Sequence, residues 1–164
     1  KPNIANDVNI SMNKNLSDDE LIETMYPIIK EHENAKPFPY YDTRWKKTVG
    51  VGNNINNKKD FYGTNWSADN MPANKQDIDS CLENLEKEKT RIQNERILAG
   101  LNPNEHNYKA DYFAQFCNIN IDEDTMRQMS IDHMKGDLKS LRKLIQNFDE
   151  LSLNKKNGTH GLHV

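Results

Sequence analysis

Three side chains in one short stretch have the types and spacing for bond-breaking chemistry. Glu33 is followed nine residues later by Asp42, and Thr48 comes six residues after that. Two carboxyls can divide the hydrolysis of a glycosidic bond. One, protonated, donates to the leaving oxygen; the other, ionised, steers a water or attacks the sugar. That division requires surroundings that drive the two pKa values apart. A hydroxyl such as that of Thr48 can hold the water. Acids beside turns and helix ends are common, so the spacing by itself fits an ordinary structural role more readily.

The elements that must position these groups are legible in outline. Ser17-Asp18-Asp19-Glu20 is a helix start in which Ser17 and Glu20 can form a capping box. Leu21, Ile22, Met25, Ile28 and Ile29 then mark one helical face. Pro27 should kink or restart this helix. The helix should fade near Glu33 and Asn34, because Pro37 disfavours helix at Lys36. Phe38, Tyr40 and Tyr41 suit one strand, and Thr48, Val49 and Val51 another. The turn-like Asp42-Thr43-Arg44-Trp45-Lys46 lies between them. A helix end facing this hairpin can bring Glu33, Asp42 and Thr48 around one cleft.

The stretch Glu33…Tyr40-Tyr41-Asp42-Thr43…Thr48-Val49-Gly50-Val51-Gly52 resembles the catalytic signature of phage-type lysozymes, glycoside hydrolase family 24. That family includes endolysins and tail-associated lysozymes. The two intervals match the family's without gaps. The resemblance implies Glu33 as general acid, Asp42 as partner carboxylate and Thr48 as a ligand of the hydrolytic water. Tyr40, Trp45 and Asn53 are the neighbours expected to contact substrate, although packing is the more ordinary role for Trp45 and for Trp66. The implied activity is that of a muramidase. It would hydrolyse the β-1,4 bond between N-acetylmuramic acid and N-acetylglucosamine in bacterial peptidoglycan, in the periplasm or cell wall. Neither metal nor organic cofactor is required. The implied fold is α+β and lysozyme-like, a small β-hairpin lobe beside helices with a long connecting helix. A non-catalytic structural or interaction module that keeps this fold is the alternative.

The chain departs from the family pattern in three places. Asn53 stands where the family usually has His. The segment from Asn53 to Asn120 is long. It holds a loop-like stretch over 53–75 and a charged helix over 76–99 that resembles the helical insertion of tail-associated members. The chain also ends at Val164, where the second lobe's core helix should start. The resemblance therefore implies a continuation, or a second chain, that completes the C-terminal lobe.

The remaining sequence sets the frame. Residues 1–16 read as a polar arm, and 17–164 as the catalytic domain. A short aromatic helix or turn is expected over 108–116. A long helix over 122–149 carries Met134, Leu138, Leu141, Ile145 and Phe148 as a narrow stripe that expects a covering lobe. At 164 residues, one domain is the expectation. The 22 basic and 25 acidic residues give a net charge of −3, which argues against a nucleic-acid binder. Lys36, Arg44, Lys46 and Lys47 form a local basic cluster that fits a solvated hairpin. No apolar run is long enough to span a membrane, and no signal-peptide pattern is visible. Cys81 and Cys117 can form one disulfide or remain two buried thiols. His160 and His163 lack the Glu of a zinc-protease helix.

Overall fold

Backbone capping starts the first helix where the sequence places it. In the computed structural model, which describes residues 16–138, 142–147 and 150–151, helix α1 spans Asp18–His32. The Glu20 amide donates to Ser17 Oγ at 3.3 Å, and the Ser17 amide to Glu20 Oε1 at 3.3 Å. This reciprocal box is worth about 1 kcal/mol. The helix runs unbroken through Pro27, so the restart expected there does not occur.

The chain continues through strands β1 (Lys36–Tyr41), β2 (Lys47–Gly50) and β3 (Asn53–Asn54), then helix α2 (Lys58–Tyr62). Strands β4 (Trp66–Ala68) and β5 (Met71–Pro72) and helix α3 (Lys75–Leu98) follow. A 3-10 helix (Ala110–Phe116), strand β6 (Asn120–Ile121) and helix α4 (Glu123–Lys135) complete the described order. The fold is α+β, with two small antiparallel sheets ordered β1-β2-β3 and β5-β4-β6. The stretch 53–75 is therefore more structured than its Asn- and Gly-rich composition indicates. Its elements are two to five residues long, too short to leave a periodic pattern. Among the described residues, no helix is long and apolar enough to cross a membrane.

The chain divides into two compact units. One comprises residues 33–129, and the other comprises 1–32 with 130–164. In the second unit Leu21, Ile22, Met25, Tyr26, Ile28, Ile131, Met134 and Ile145 are buried, and Arg142 pairs with Asp18 at 2.7 Å. Met134 and Ile145 of the expected stripe are buried and Leu138 is partly buried, so at these positions the stripe is not the uncovered face expected. The expected uninterrupted helix over 122–149 is corrected as well. The Gly136 and Asp137 amides turn back to His133 and Met134 carbonyls in three-residue steps, closing α4 just after Lys135. Glycine is a poor helix residue and a natural place for that stop. Beyond that turn, residue 138 and residues 142–147 and 150–151 are helical. Leu141, Phe148, the expected arm over 1–15, and His160 and His163 lie outside the described residues.

The 33–129 unit has its own core. Tyr41 and Val49 come from the first sheet, with Ile55 just after β3, and Trp66 and Ile121 from the second. Ile78, Leu82, Leu85 and Ile92 come from one stripe of α3, with Phe113 from the 3-10 helix. Ile97, near the end of the same helix, is exposed. Asn74 and Asp77 form a capping box that fixes the start of α3. Cys81 and Cys117 form a disulfide, joining α3 to the segment after the 3-10 helix. The Asn84 side chain donates to the Phe116 carbonyl on the same seam at 3.1 Å. The helix expected as an insertion is thus a main wall of this core.

Candidate active site

The hairpin turn is built around the Asp42 carboxylate. Its Oδ1 accepts the backbone N–H of Arg44 at 2.9 Å and that of Lys46 at 2.8 Å. The Trp45 amide reaches the Asp42 carbonyl at 3.1 Å, and the Asp42 amide donates to the Lys46 carbonyl at 2.9 Å. Asp is favoured at the first position of such a turn because its short side chain can take these local donors. Oδ1 is thereby committed to structure. Among the described residues, no hydrogen bond engages Oδ2, and Asp42 is half-buried.

Trp45 closes the turn in the left-handed region, at φ 67°. That conformation costs a non-glycine residue about 1–2 kcal/mol, and packing offsets it. The indole is 8% exposed, donates from Nε1 to the Pro103 carbonyl at 2.9 Å, and meets Tyr41 edge-on at 5.1 Å. Trp45 is therefore a core anchor of the turn. The expectation that it offers an open face to a sugar is corrected. Trp66 is buried likewise, with its indole N–H on the Phe61 carbonyl.

Strand register decides which side chains share a face. Tyr40 pairs with Thr48, and Thr48 pairs with Asn54. Directly opposed residues point the same way, so Tyr40, Thr48 and Asn54 form one row. Tyr41, Val49 and Ile55 point to the other side, into the core. The Thr48 hydroxyl lies 3.0 Å from the Lys46 carbonyl and 3.2 Å from Asn54 Oδ1, both of which can accept its single proton. Thr48 is only 3% exposed. Its oxygen lone pairs remain available as acceptors.

Glu33 lies in the turn after α1, exposed, with no ion pair among the described residues. Its charge is nevertheless felt on the sheet. The half-buried Tyr40 phenol is held above its usual pKa, first by burial, then by the Asp42 carboxylate, then by Glu33. Both acids therefore lie within electrostatic reach of one hydroxyl. Register brings Tyr40 and Thr48 together beside the Asp42 turn, and Glu33 lies in the same 33–129 unit.

Asn53 does not join them. It pairs with Val49, so its side chain leaves the sheet on the core side. Nδ2 donates to the Met129 carbonyl at 3.3 Å, and Oδ1 is buried without a partner. A Cβ on Gly50 would approach that oxygen to 3.2 Å, and Gly50 also has φ 64°, so glycine is required there. Asn53 ties the β2–β3 turn to α4, and the expectation that it contacts substrate is corrected. Asn54 takes its place on the Thr48 row. Composition alone could not choose between these adjacent asparagines; the register does.

His106 is the residue that sequence reasoning missed. It is 1% exposed. Its amide donates to the Thr43 carbonyl at 3.0 Å, and its ring Nε2 lies 2.6 Å from the Asp42 carbonyl. Nδ1 accepts the Tyr108 amide at 3.0 Å, so Nε2 carries the proton and donates to Asp42. Burial pushes His106 below its usual pKa, opposed by Asp42 and the Tyr41 backbone and assisted by the Arg96 charge. The contact spans 64 residues, and a lone His in a polar loop carries no local signal of it.

No protein-family model, curated protein or solved structure matches the chain. The functional reading therefore rests on the residues themselves. Among the described residues, no cluster of His, Cys, Asp and Glu suits a metal ion. What the arrangement can offer is acid–base chemistry. It has one solvent-facing carboxyl, one carboxylate with a fixed oxygen and an open one, and a paired tyrosine and threonine on the adjoining strands.

Proposed function

We propose that the chain is a glycoside hydrolase of the lysozyme type, a muramidase that cleaves the β-1,4 bond between N-acetylmuramic acid and N-acetylglucosamine in bacterial peptidoglycan. The observation that supports the proposal is the strand register that sets Tyr40 opposite Thr48 at the base of the Asp42 turn, with one Asp42 oxygen left open. Glu33 donates the proton to the leaving oxygen. A glycan lying along Tyr40 would displace water from Glu33. Asp42 Oδ2 and the Thr48 oxygen hold the attacking water on the opposite side of the sugar. Attack by water implies inversion at the anomeric carbon and carboxyls about 6.5–9.5 Å apart.

The burial of Thr48 and the engagement of its proton within the sheet favour a second reading, a lysozyme-like module that binds glycan without cleaving it. Release of reducing ends from purified peptidoglycan separates the two. The muramidase reading expects release that depends on Glu33 and Asp42. Binding to peptidoglycan with no release would establish the module.

A further inference from the structure

The turn that presents Asp42 is held from beneath by a long-range clamp. Residues after α3 are fastened to that helix: Arg96 Nε donates to the Asn102 carbonyl at 2.6 Å, and Gln93 Nε2 to the Pro103 carbonyl at 3.2 Å. Pro103 in turn accepts the Trp45 indole. Three residues on, His106 grips the turn twice, by its amide at Thr43 and by its ring at Asp42. The imidazole is packed 4.4 Å from Trp45 and 5.3 Å from Phe113, measured between ring centres, so it cannot swing aside without opening the core.

We propose that His106 is a positioning residue for Asp42, holding the carboxylate's turn most firmly while its ring is neutral. This rests on the reading of Asp42 as the residue that steers water. The proton-dependence follows from the two partners. Nε2 donates to the Asp42 carbonyl, and Nδ1 must accept from Tyr108. A second proton on Nδ1 sets donor against donor at Tyr108, and the ring loses one of its two anchors. The groups around it sharpen the choice. Asp42 on the turn attracts a proton, and Arg96 on α3 repels it. Arg96 also faces Glu105 across 3.9 Å, while Trp45, Tyr108 and Phe113 supply uncharged walls. Uptake of a proton by His106 therefore loosens the turn that presents Asp42, and activity should fall with it.

The test uses the full chain with His106→Leu and His106→Gln. Leucine removes both ring contacts. Glutamine offers one donor and one acceptor on a side chain that does not titrate. Rates on soluble peptidoglycan fragments would be followed from about pH 8 to about pH 4.5, across the His and carboxylate ranges. Exchange of the Arg44 and Lys46 amides would be measured by NMR at the same pH values, with the ring nitrogens of His106 observed directly. His106→Leu should lower kcat about 10²-fold with little change in KM, the scale expected for a misplaced group. Its Arg44 and Lys46 amides should exchange faster. His106→Gln should restore most of kcat and move the acid limb to lower pH. In the unmodified protein, amide protection should fall with the same midpoint as the His106 ring titration. Wild-type kcat and amide protection in His106→Leu would overturn the proposal, as would an unmoved acid limb in His106→Gln. If His106→Leu does not fold, the glutamine variant and the ring titration still decide. Absence of cleavage by the unmodified protein would refute the muramidase reading, while the amide and ring measurements still judge the clamp.

Discussion

Replacing Asp42 in two ways separates its structural work from its chemical work. Asp42→Asn keeps an oxygen where Oδ1 now accepts the Arg44 and Lys46 amides, but replaces the open Oδ2 by an amide that cannot steer water as a base. Asp42→Ala removes both functions. Hydrogen bonds from neutral donors to a charged acceptor contribute about 1.5–3 kcal/mol each. The two here, at 2.9 and 2.8 Å, belong to a half-exposed group. Solvent screening reduces their joint contribution to about 2 kcal/mol. Asp42→Ala should therefore lose about 2 kcal/mol in urea unfolding, and Asp42→Asn no more than about 1 kcal/mol, because a neutral acceptor remains. Activity should behave differently. Both variants should fall by about 10²–10⁴-fold, the range for loss of a positioned base. The assays are urea midpoints and initial rates of peptidoglycan hydrolysis. Near wild-type rates in Asp42→Asn would refute the chemical role. Equal stability of the two variants would refute the description of the turn.

Other perturbations test neighbouring parts of the account. Glu33→Gln should lower hydrolysis by about 10²–10⁴-fold while changing stability by less than about 0.5 kcal/mol, as expected at an exposed site; retained activity in a turbidity assay would remove Glu33 as the acid. Reducing the Cys81–Cys117 bridge opens a 36-residue loop and should cost up to about 4 kcal/mol by the chain-entropy relation; unchanged urea midpoints with and without reductant would show that the bridge does not constrain the unfolded chain. Burial holds His106 below its usual pKa, so the unfolded chain takes up that proton first as pH falls. Its stabilisation should be complete above about pH 6.5 and lost progressively below it, down to the folded-state pKa. Urea midpoints should drop on acidification less steeply in His106→Gln than in the unmodified protein, and equal slopes would contradict this.

How much the sequence reveals depends on the range over which each feature is encoded. Ser17 and Glu20 cap α1 through contacts three residues apart, and the stripe of α3 repeats every three or four residues, so both are readable. The hairpin is readable too, because alternating aromatic and β-branched residues flank Asp42. The short elements between Asn56 and Ala73 are not, since a three-residue strand such as β4 is set by its partners and not by periodicity. The candidate site divides the same way. Glu33, Tyr40, Asp42 and Thr48 stand out by type and spacing. Trp45 and Asn53 have suitable types, but their orientation depends on a left-handed turn residue and on strand register. His106 reaches Asp42 from 64 residues away, and nothing local announces it.

The central claim, that Glu33 and Asp42 work together to cleave a muramyl bond, is tested most directly at the newly formed chain ends. Purified peptidoglycan treated with the protein would be reduced with borohydride, hydrolysed and assayed for its reduced amino sugars. The account predicts that reduced N-acetylmuramic acid accumulates with the unmodified protein and not with Glu33→Gln or Asp42→Asn. Reduced N-acetylglucosamine as the main product, or reduced N-acetylmuramic acid formed equally well by the two variants, would contradict it.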